Sequence, residues 1–150
     1  MDEVQIKEMV RARYGGIAEA ASAAESCCAP AASCCGPTAD PTSKSRNMGY
    51  SDAELAAVPE GANLGLGCGN PQAIAALKQG EVVVDLGSGA GFDCFLAAQQ
   101  VGEQGHVIGV DMTHEMLKKA RENAGKVGAN NVEFRLGELE HLPVADNTAL

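Results

Sequence analysis

Two sets of residues in this sequence carry pointed chemistry. The first is Glu81-Val-Val-Val-Asp-Leu-Gly-Ser-Gly-Ala-Gly91, an apolar run that breaks, just after an acid, into alternating glycines. The second is sulfur: Cys27-Cys28 and Cys34-Cys35 in a CC-x5-CC pattern, and Cys68 inside Gly65-Leu-Gly-Cys-Gly-Asn-Pro71. Gly87, Ser88, Gly89 and Gly91 form a turn whose glycines let backbone come close to a ligand. A helix starting at such a turn aims its first, unpaired amides at whatever sits there. Asp111 ends the next apolar run, His106-Val-Ile-Gly-Val-Asp111. A carboxylate at that place in an open parallel sheet can accept both hydroxyls of a ribose. Together these residues specify a cofactor that contains adenosine.

Glycine spacing narrows the choice. Pyrophosphate sites use G-x-G-x-x-G, whereas here the order is Gly87-x-Gly89-x-Gly91 followed by Phe92-Asp93-Cys94. Asp85 would repel a pyrophosphate but suits the ammonium of an amino acid. The tandem cysteines suit a soft, thiophilic ion, because thiolate ligands select soft centres. Their spacing is not the C-x2-C of zinc ribbons and fingers. Cys94, on the helix after the turn, reads as a small core residue. His106, His114 and His141 are scattered, and Asp93 and Glu115 read as helix-start acids.

The elements that must position these groups follow from periodicity. Residues 2–20 read as a helix, with Ile6, Met9, Val10, Arg13, Tyr14 and Ile17 on one stripe and Gly15-Gly16 as a weak point. Residues 21–45 hold Ala, Ser, Cys, Pro and Thr without Leu, Ile, Val or Phe. Such a segment buries too little to offset its ordering entropy, so it is expected to be mobile. Ser51-Asp-Ala-Glu54 is a capping box opening a helix at about 52–57. Asn70-Pro71 opens another, to about Leu77. The strand at 81–86 has no period-2 alternation, as expected for a strand covered on both faces. A helix follows at 92–101, using Phe92, Phe95, Leu96 and Val101 for the core. A second strand at 106–111 precedes a helix at 114–127, capped by Thr113 and closed by Gly128, with Met116, Leu117, Ala120, Ala124 and Val127 toward the sheet. Val132–Leu136 is a third strand. The expected fold is α/β, a βαβαβ unit with parallel strands and right-handed crossovers.

Composition sets outer bounds. The 150 residues carry a net charge of −9, with three Phe, two Tyr and no Trp. That charge speaks against non-specific nucleic-acid binding, which needs clustered Lys and Arg. No apolar run approaches the roughly 20 residues of a membrane span. Met-Asp-Glu-Val-Gln has no secretory h-region, and a cytoplasmic location is the expectation. Six cysteines there favour reduced thiols over a disulfide framework.

Asp85-Leu-Gly-Ser-Gly-Ala-Gly91 resembles the first motif of class I methyltransferases, which use S-adenosylmethionine. The resemblance implies that the turn borders the methionine part of the cofactor, Asp111 the ribose and Met112 the adenine, with Glu138 near the adenine edge. Met112 also reads as filling space beside the sheet. A second resemblance is narrower. Tyr50-Ser-Asp-Ala-Glu-Leu55, Pro59-Glu-Gly-Ala-Asn-Leu-Gly-Leu-Gly-Cys-Gly-Asn-Pro71, the motif at 85–94 and Gly109-Val-Asp-Met-Thr113 look like a bacterial arsenite methyltransferase. That family holds arsenic(III) by thiolates, methylates it in arsenic detoxification, and uses a protein disulfide and a thiol reductant to return arsenic to the trivalent state. The resemblance gives Cys68 the role of a substrate thiol, with Cys34 or Cys35 as the upstream partner and Cys27 and Cys28 less securely placed.

The expected organisation is a helix at 1–20, a flexible Cys/Ala/Ser/Pro-rich segment at 21–45, and an S-adenosylmethionine-binding domain at 46–150. A doubly wound sheet needs more strands, and the family has further substrate thiols downstream. The expectation is therefore a class I methyltransferase Rossmann-like parallel sheet truncated to its first βαβαβ half, inactive alone, with an unpaired sheet edge prone to weak self-association. The alternatives are a methyltransferase for another small molecule and a non-catalytic thiol module that sequesters metal or metalloid.

Overall fold

The computed structural model describes residues 2–24, 40–67, 69–71 and 75–149. Three parallel strands form one sheet in the order β1-β2-β3: β1 is Val82–Leu86, β2 His106–Asp111 and β3 Val132–Leu136. Val82 lies opposite His106 and Leu86 opposite Val110; Val107 lies opposite Val132 and Asp111 opposite Leu136. Among the described residues three helices are delimited before the sheet: α1 (Glu3–Ala24), α2 (Pro41–Asn47) and α3 (Asp52–Ala57). The crossovers are α4 (Phe92–Val101) and α5 (His114–Val127).

The hydrophobic pattern explains the central layer. Val107, Ile108 and Val110 are buried in β2, and Val107 packs in one cluster with Phe95, Val101, Leu117, Ala120 and Phe134. Phe95 and Phe134 meet edge to face, with centroids 5.9 Å apart. Gly109 makes room for that pair: a Cβ there would lie 2.7 Å from Phe134 Cδ1 and 2.9 Å from Cys94 Sγ. Cys94 is fully buried, in the core role its position suggested.

β1 departs from expectation. Its residues are only half-buried and Leu86 is 50% exposed. Among the described residues β1 pairs on one side only, with β2, so its apolar side chains lack a second neighbour to cover them. Val127 differs too: it is 51% exposed at the last turn of α5, beyond the reach of the sheet.

The chain before the sheet holds more regular structure than its composition implied. α1 runs without a break through Gly15-Gly16 to Ala24. The glycine is explained by close packing, since a Cβ on Gly15 would lie 3.0 Å from Glu115 Oε2 of α5. α2 begins inside the segment expected to be mobile. Asp40 caps it by accepting from the Ser43 amide, and Pro41 occupies its first turn, where a missing N–H costs nothing. The capping box at Ser51 and Glu54 is formed on both sides. The remainder of the expected mobile segment, 25–39, lies outside the described residues. The helix expected at 70–77 falls partly on residues 72–74, also outside them.

Candidate cofactor site

A cleft of about 520 Å³ opens at the carboxyl ends of β1 and β2. This is the edge of an open parallel sheet where ligands sit, and the size is that of a small-molecule pocket. Its floor is the glycine turn. The amides of Gly87 and Ser88 both donate to the Val110 carbonyl, at 2.8 and 3.1 Å, and the Gly91 amide donates to Ser88 at 2.9 Å. These bonds clip the turn to the end of β2. Gly87 and Gly89 have φ of +82° and +53°, and a Cβ on either would meet nothing within 4 Å. Both therefore leave an open cradle that only glycine builds without strain.

Asp111 holds that cradle from the side. Its Oδ2 accepts from the Gly89 amide at 2.9 Å, and its Oδ1 accepts from the Thr113 amide at 2.7 Å. Thr113 precedes α5 but makes no side-chain cap; the Asp111 carboxylate satisfies its amide instead. Met112 lines the cleft next to it. The Ser88 hydroxyl is a buried oxygen without a hydrogen-bond partner among the described residues. A buried polar group normally finds a partner, so this orphan on the cleft floor fits a polar ligand.

Asp85 and Gly91 are placed differently from the other turn residues, for neither lines the cleft. The Cys94 thiol donates to Asp85 Oδ2 at 3.2 Å. Burial pushes the Asp85 carboxyl up, with the Asp111 charge adding to the push and the Cys94 bond opposing it. Burial also pushes the Cys94 thiol up. Gly91 is fixed by packing: at φ +90°, a Cβ would lie 2.7 Å from Phe134 Cζ and 2.9 Å from Phe95 Cε2.

Glu138 lines the cleft, but α1 has engaged its carboxylate. Lys7 Nζ donates to Glu138 Oε2 at 2.8 Å, and the Arg11 guanidinium pairs with Oε1. Lys7 also contacts Glu3 at 3.0 Å and Glu140 at 3.1 Å. Hydrogen bonding to Lys7, then the charges of Lys7 and Arg11, hold the Glu138 carboxyl below its usual range. Ile6, Val10 and Tyr14 from the same helix roof the cleft. Sequence reasoning missed this contribution of α1. The signal was present in Lys7 and Arg11, one helical turn apart beside an apolar stripe.

Tyr50 and Asp93 close the far end, and neither was expected in the site. The Tyr50 hydroxyl lies 2.8 Å from Asp93 Oδ1. Burial drives the Asp93 carboxyl up to about 6, against the pull of the Tyr50 bond. Leu64, Gly65, Leu66 and Gly67 line the same end, leading to Cys68. Cys68 itself, with Cys27, Cys28, Cys34 and Cys35, lies outside the described residues.

The residues present fit S-adenosylmethionine. The cradle has an orphan hydroxyl, the neighbouring strand end has a carboxylate, and Leu86, Met112 and Leu139 offer apolar flanks. Comparison with known proteins agrees. A family profile described as a methyltransferase domain matches residues 77–149. The chain is 56% identical to an arsenite methyltransferase of Halobacterium salinarum across 98% of its length, and spans 38% of that relative. It is 49% identical to an arsenite methyltransferase of Aquipseudomonas alcaligenes over 45% of its length and 20% of the relative. Among solved structures, a SAM-dependent methyltransferase from Aquifex aeolicus superposes with a TM-score of 0.51 at 30% identity, over 75% of this chain and 54% of that one. No described helix is long and apolar enough to cross a membrane. The chain thus carries a match to a methyltransferase domain over residues 77–149 and is similar over nearly its whole length to an arsenite methyltransferase.

Proposed function

We propose that this chain is the cofactor-binding part of an enzyme that methylates thiol-bound arsenite. The observation that carries the reading is the 56% identity over 98% of the chain, which extends beyond the methyltransferase domain through the cysteine-bearing segments. In this reading Gly87, Ser88 and Gly89 cradle the methionine part, with Asp85 and Gly91 supporting the turn from behind. Asp111 receives the ribose hydroxyls while keeping its bonds to the Gly89 and Thr113 amides, since each carboxylate oxygen has a second lone pair. Met112 and Glu138 flank the adenine.

Bound in the cleft, the cofactor supplies an electrophilic methyl on a sulfonium that departs as a neutral thioether. Cys68 and one of Cys34 and Cys35 hold arsenic(III) as thiolates, with Cys27 and Cys28 as further sulfur donors. α1 and the Tyr50 end of the cleft keep water from the methyl. After transfer a cysteine pair gives up two electrons to methylated arsenic and becomes a disulfide, which a thiol reductant reopens. Residues 46–150 form the cofactor-binding unit, and these 150 residues alone are expected to bind cofactor without completing turnover. The open edge of β1 is expected to allow weak self-association.

The test is a separate titration of this chain with S-adenosylhomocysteine and with arsenite. The reading expects Cys68→Ser to weaken arsenite capture by about tenfold or more while leaving cofactor affinity within about twofold, the loss of one metal ligand being large. Arsenite capture unaffected by Cys68→Ser would remove Cys68 from the substrate site.

A further inference from the structure

One phenol stands between two acceptors at the far end of the cleft. The Tyr50 oxygen is 2.7 Å from the Gly69 carbonyl oxygen and 2.8 Å from Asp93 Oδ1. A phenol has a single proton to donate, and a carbonyl can only accept. Both contacts are satisfied together only when Tyr50 donates to Gly69 and Asp93, as a carboxylic acid, donates to Tyr50. Tyr50 cannot swing aside. It is 4% exposed, and its ring meets Phe92 edge to face with centroids 4.8 Å apart. The same stretch of chain grips the loop at a second point. Asn70 Nδ2 donates to the Gly49 carbonyl at 3.3 Å and to Glu54 Oε1 at 3.1 Å.

We propose that Tyr50 and Asp93 are positioning residues: a directed chain from Asp93 to the Tyr50 hydroxyl to the Gly69 carbonyl ties the loop bearing Cys68 to the first turn of α4, next to the cofactor cradle. The functional half of this proposal rests on the reading of that loop as a substrate-thiol loop. Its consequence is that the Gly69 side of this loop is held beside the cradle by two side chains that neither bind arsenic nor transfer a methyl. The burial that lifts Asp93, to which Asp85 and Glu54 add their charges, lets its carboxyl keep the proton to a higher pH than an ordinary acid.

Amide hydrogen exchange of Gly65, Gly67 and Gly69 at about pH 5, below the value of about 6 at which Asp93 gives up its proton, tests the tie, with β2 amides as the internal standard for global stability. Tyr50→Phe keeps the ring and removes only the hydroxyl. It and Asp93→Ala are expected to speed loop exchange by roughly fivefold to tenfold, the worth of one net hydrogen bond. Asp93→Asn retains a donor toward the Tyr50 oxygen and is expected to protect the loop at least as well as Asp93. Arsenite capture by the same variants should follow the loop, weaker for Tyr50→Phe and Asp93→Ala and preserved for Asp93→Asn. Unchanged loop exchange in Tyr50→Phe, or Asp93→Asn loosening the loop as much as Asp93→Ala, would overturn the tie itself. A loosened loop with arsenite capture unaltered would leave the tie standing and overturn its functional half.

Discussion

β1 and β2 each approach the cleft with an aspartate near the carboxyl end, yet the two carboxylates do opposite work. Asp111 reaches sideways from β2 and accepts two backbone amides, at 2.9 and 2.7 Å, that shape the cradle and start α5. Asp85, on β1, does not line the cleft and accepts from the Cys94 thiol at 3.2 Å. The strands differ in the same sense. β2 is the buried centre of the sheet, while β1 is half-covered and ends on an exposed Leu86. The central strand supplies the rigid holder. The strand beside it supplies a turn that must be held.

The sharpest way to break this contrast is Asp111→Ala. It strips the acceptor from the Gly89 and Thr113 amides and the ribose contact with it. Cofactor affinity by calorimetry should fall by about 100-fold or more, and stability by about 2 to 3 kcal/mol, the range for losing bonds to a charged acceptor. Gly91→Ala attacks the turn from the core side. Its Cβ would press on Phe134 and Phe95 at a positive φ, so chemical denaturation should show a loss of about 2 kcal/mol.

Asp85→Asn should go the other way. The folded-state pKa of Asp85 lies above its unfolded value, so the folded protein holds that proton more tightly. Its stability contribution is present at low pH and is lost as pH rises through the folded value. Asp93 behaves alike, losing its contribution between its ordinary 3.8 and about 6. Asp85→Asn at neutral pH is therefore expected to raise the melting temperature, by the equivalent of about 1 kcal/mol, and to flatten the acid limb of the stability profile. A lower melting temperature would mean that the ionised carboxylate has a compensating partner.

The smallest effect belongs to the roof. Lys7→Ala removes contacts to Glu3, Glu138 and Glu140, but these groups are partly solvated and screened by salt. Cofactor release measured by stopped flow should quicken by no more than about threefold, the scale of an exposed ion pair, and high salt should mimic the substitution. An unchanged release rate would separate α1 from the cleft.

The sequence made the sheet readable because its strands are dense in β-branched residues and its turns carry glycine, and β2, β3, α3 and α5 sit where periodicity put them. Asp111 was readable because strand-end acids follow topology. The rest depended on contacts distant along the chain. Glu138 meets Arg11 across 127 positions and Lys7 across 131, and Tyr50 meets Asp93 across 43. No local pattern encodes such pairs. α2 was hidden for a different reason: composition masked the Asp40-Pro41 start that marks it. Asp85 showed its charge in sequence but not its partner, because the Cys94 thiol it meets sits on α4, which only the folded chain brings beside β1.

The most direct measurement is titration of this chain with S-adenosylhomocysteine, followed by amide chemical shifts, in parallel with Asp111→Ala. One-to-one binding is expected, with the largest shifts at Gly87–Gly89, Asp111–Thr113 and Gly137–Glu140, all abolished or weakened about 100-fold in the variant. Absence of binding, shifts centred elsewhere, or an Asp111→Ala chain that binds as tightly as the parent would contradict the assignment of this cleft to the cofactor.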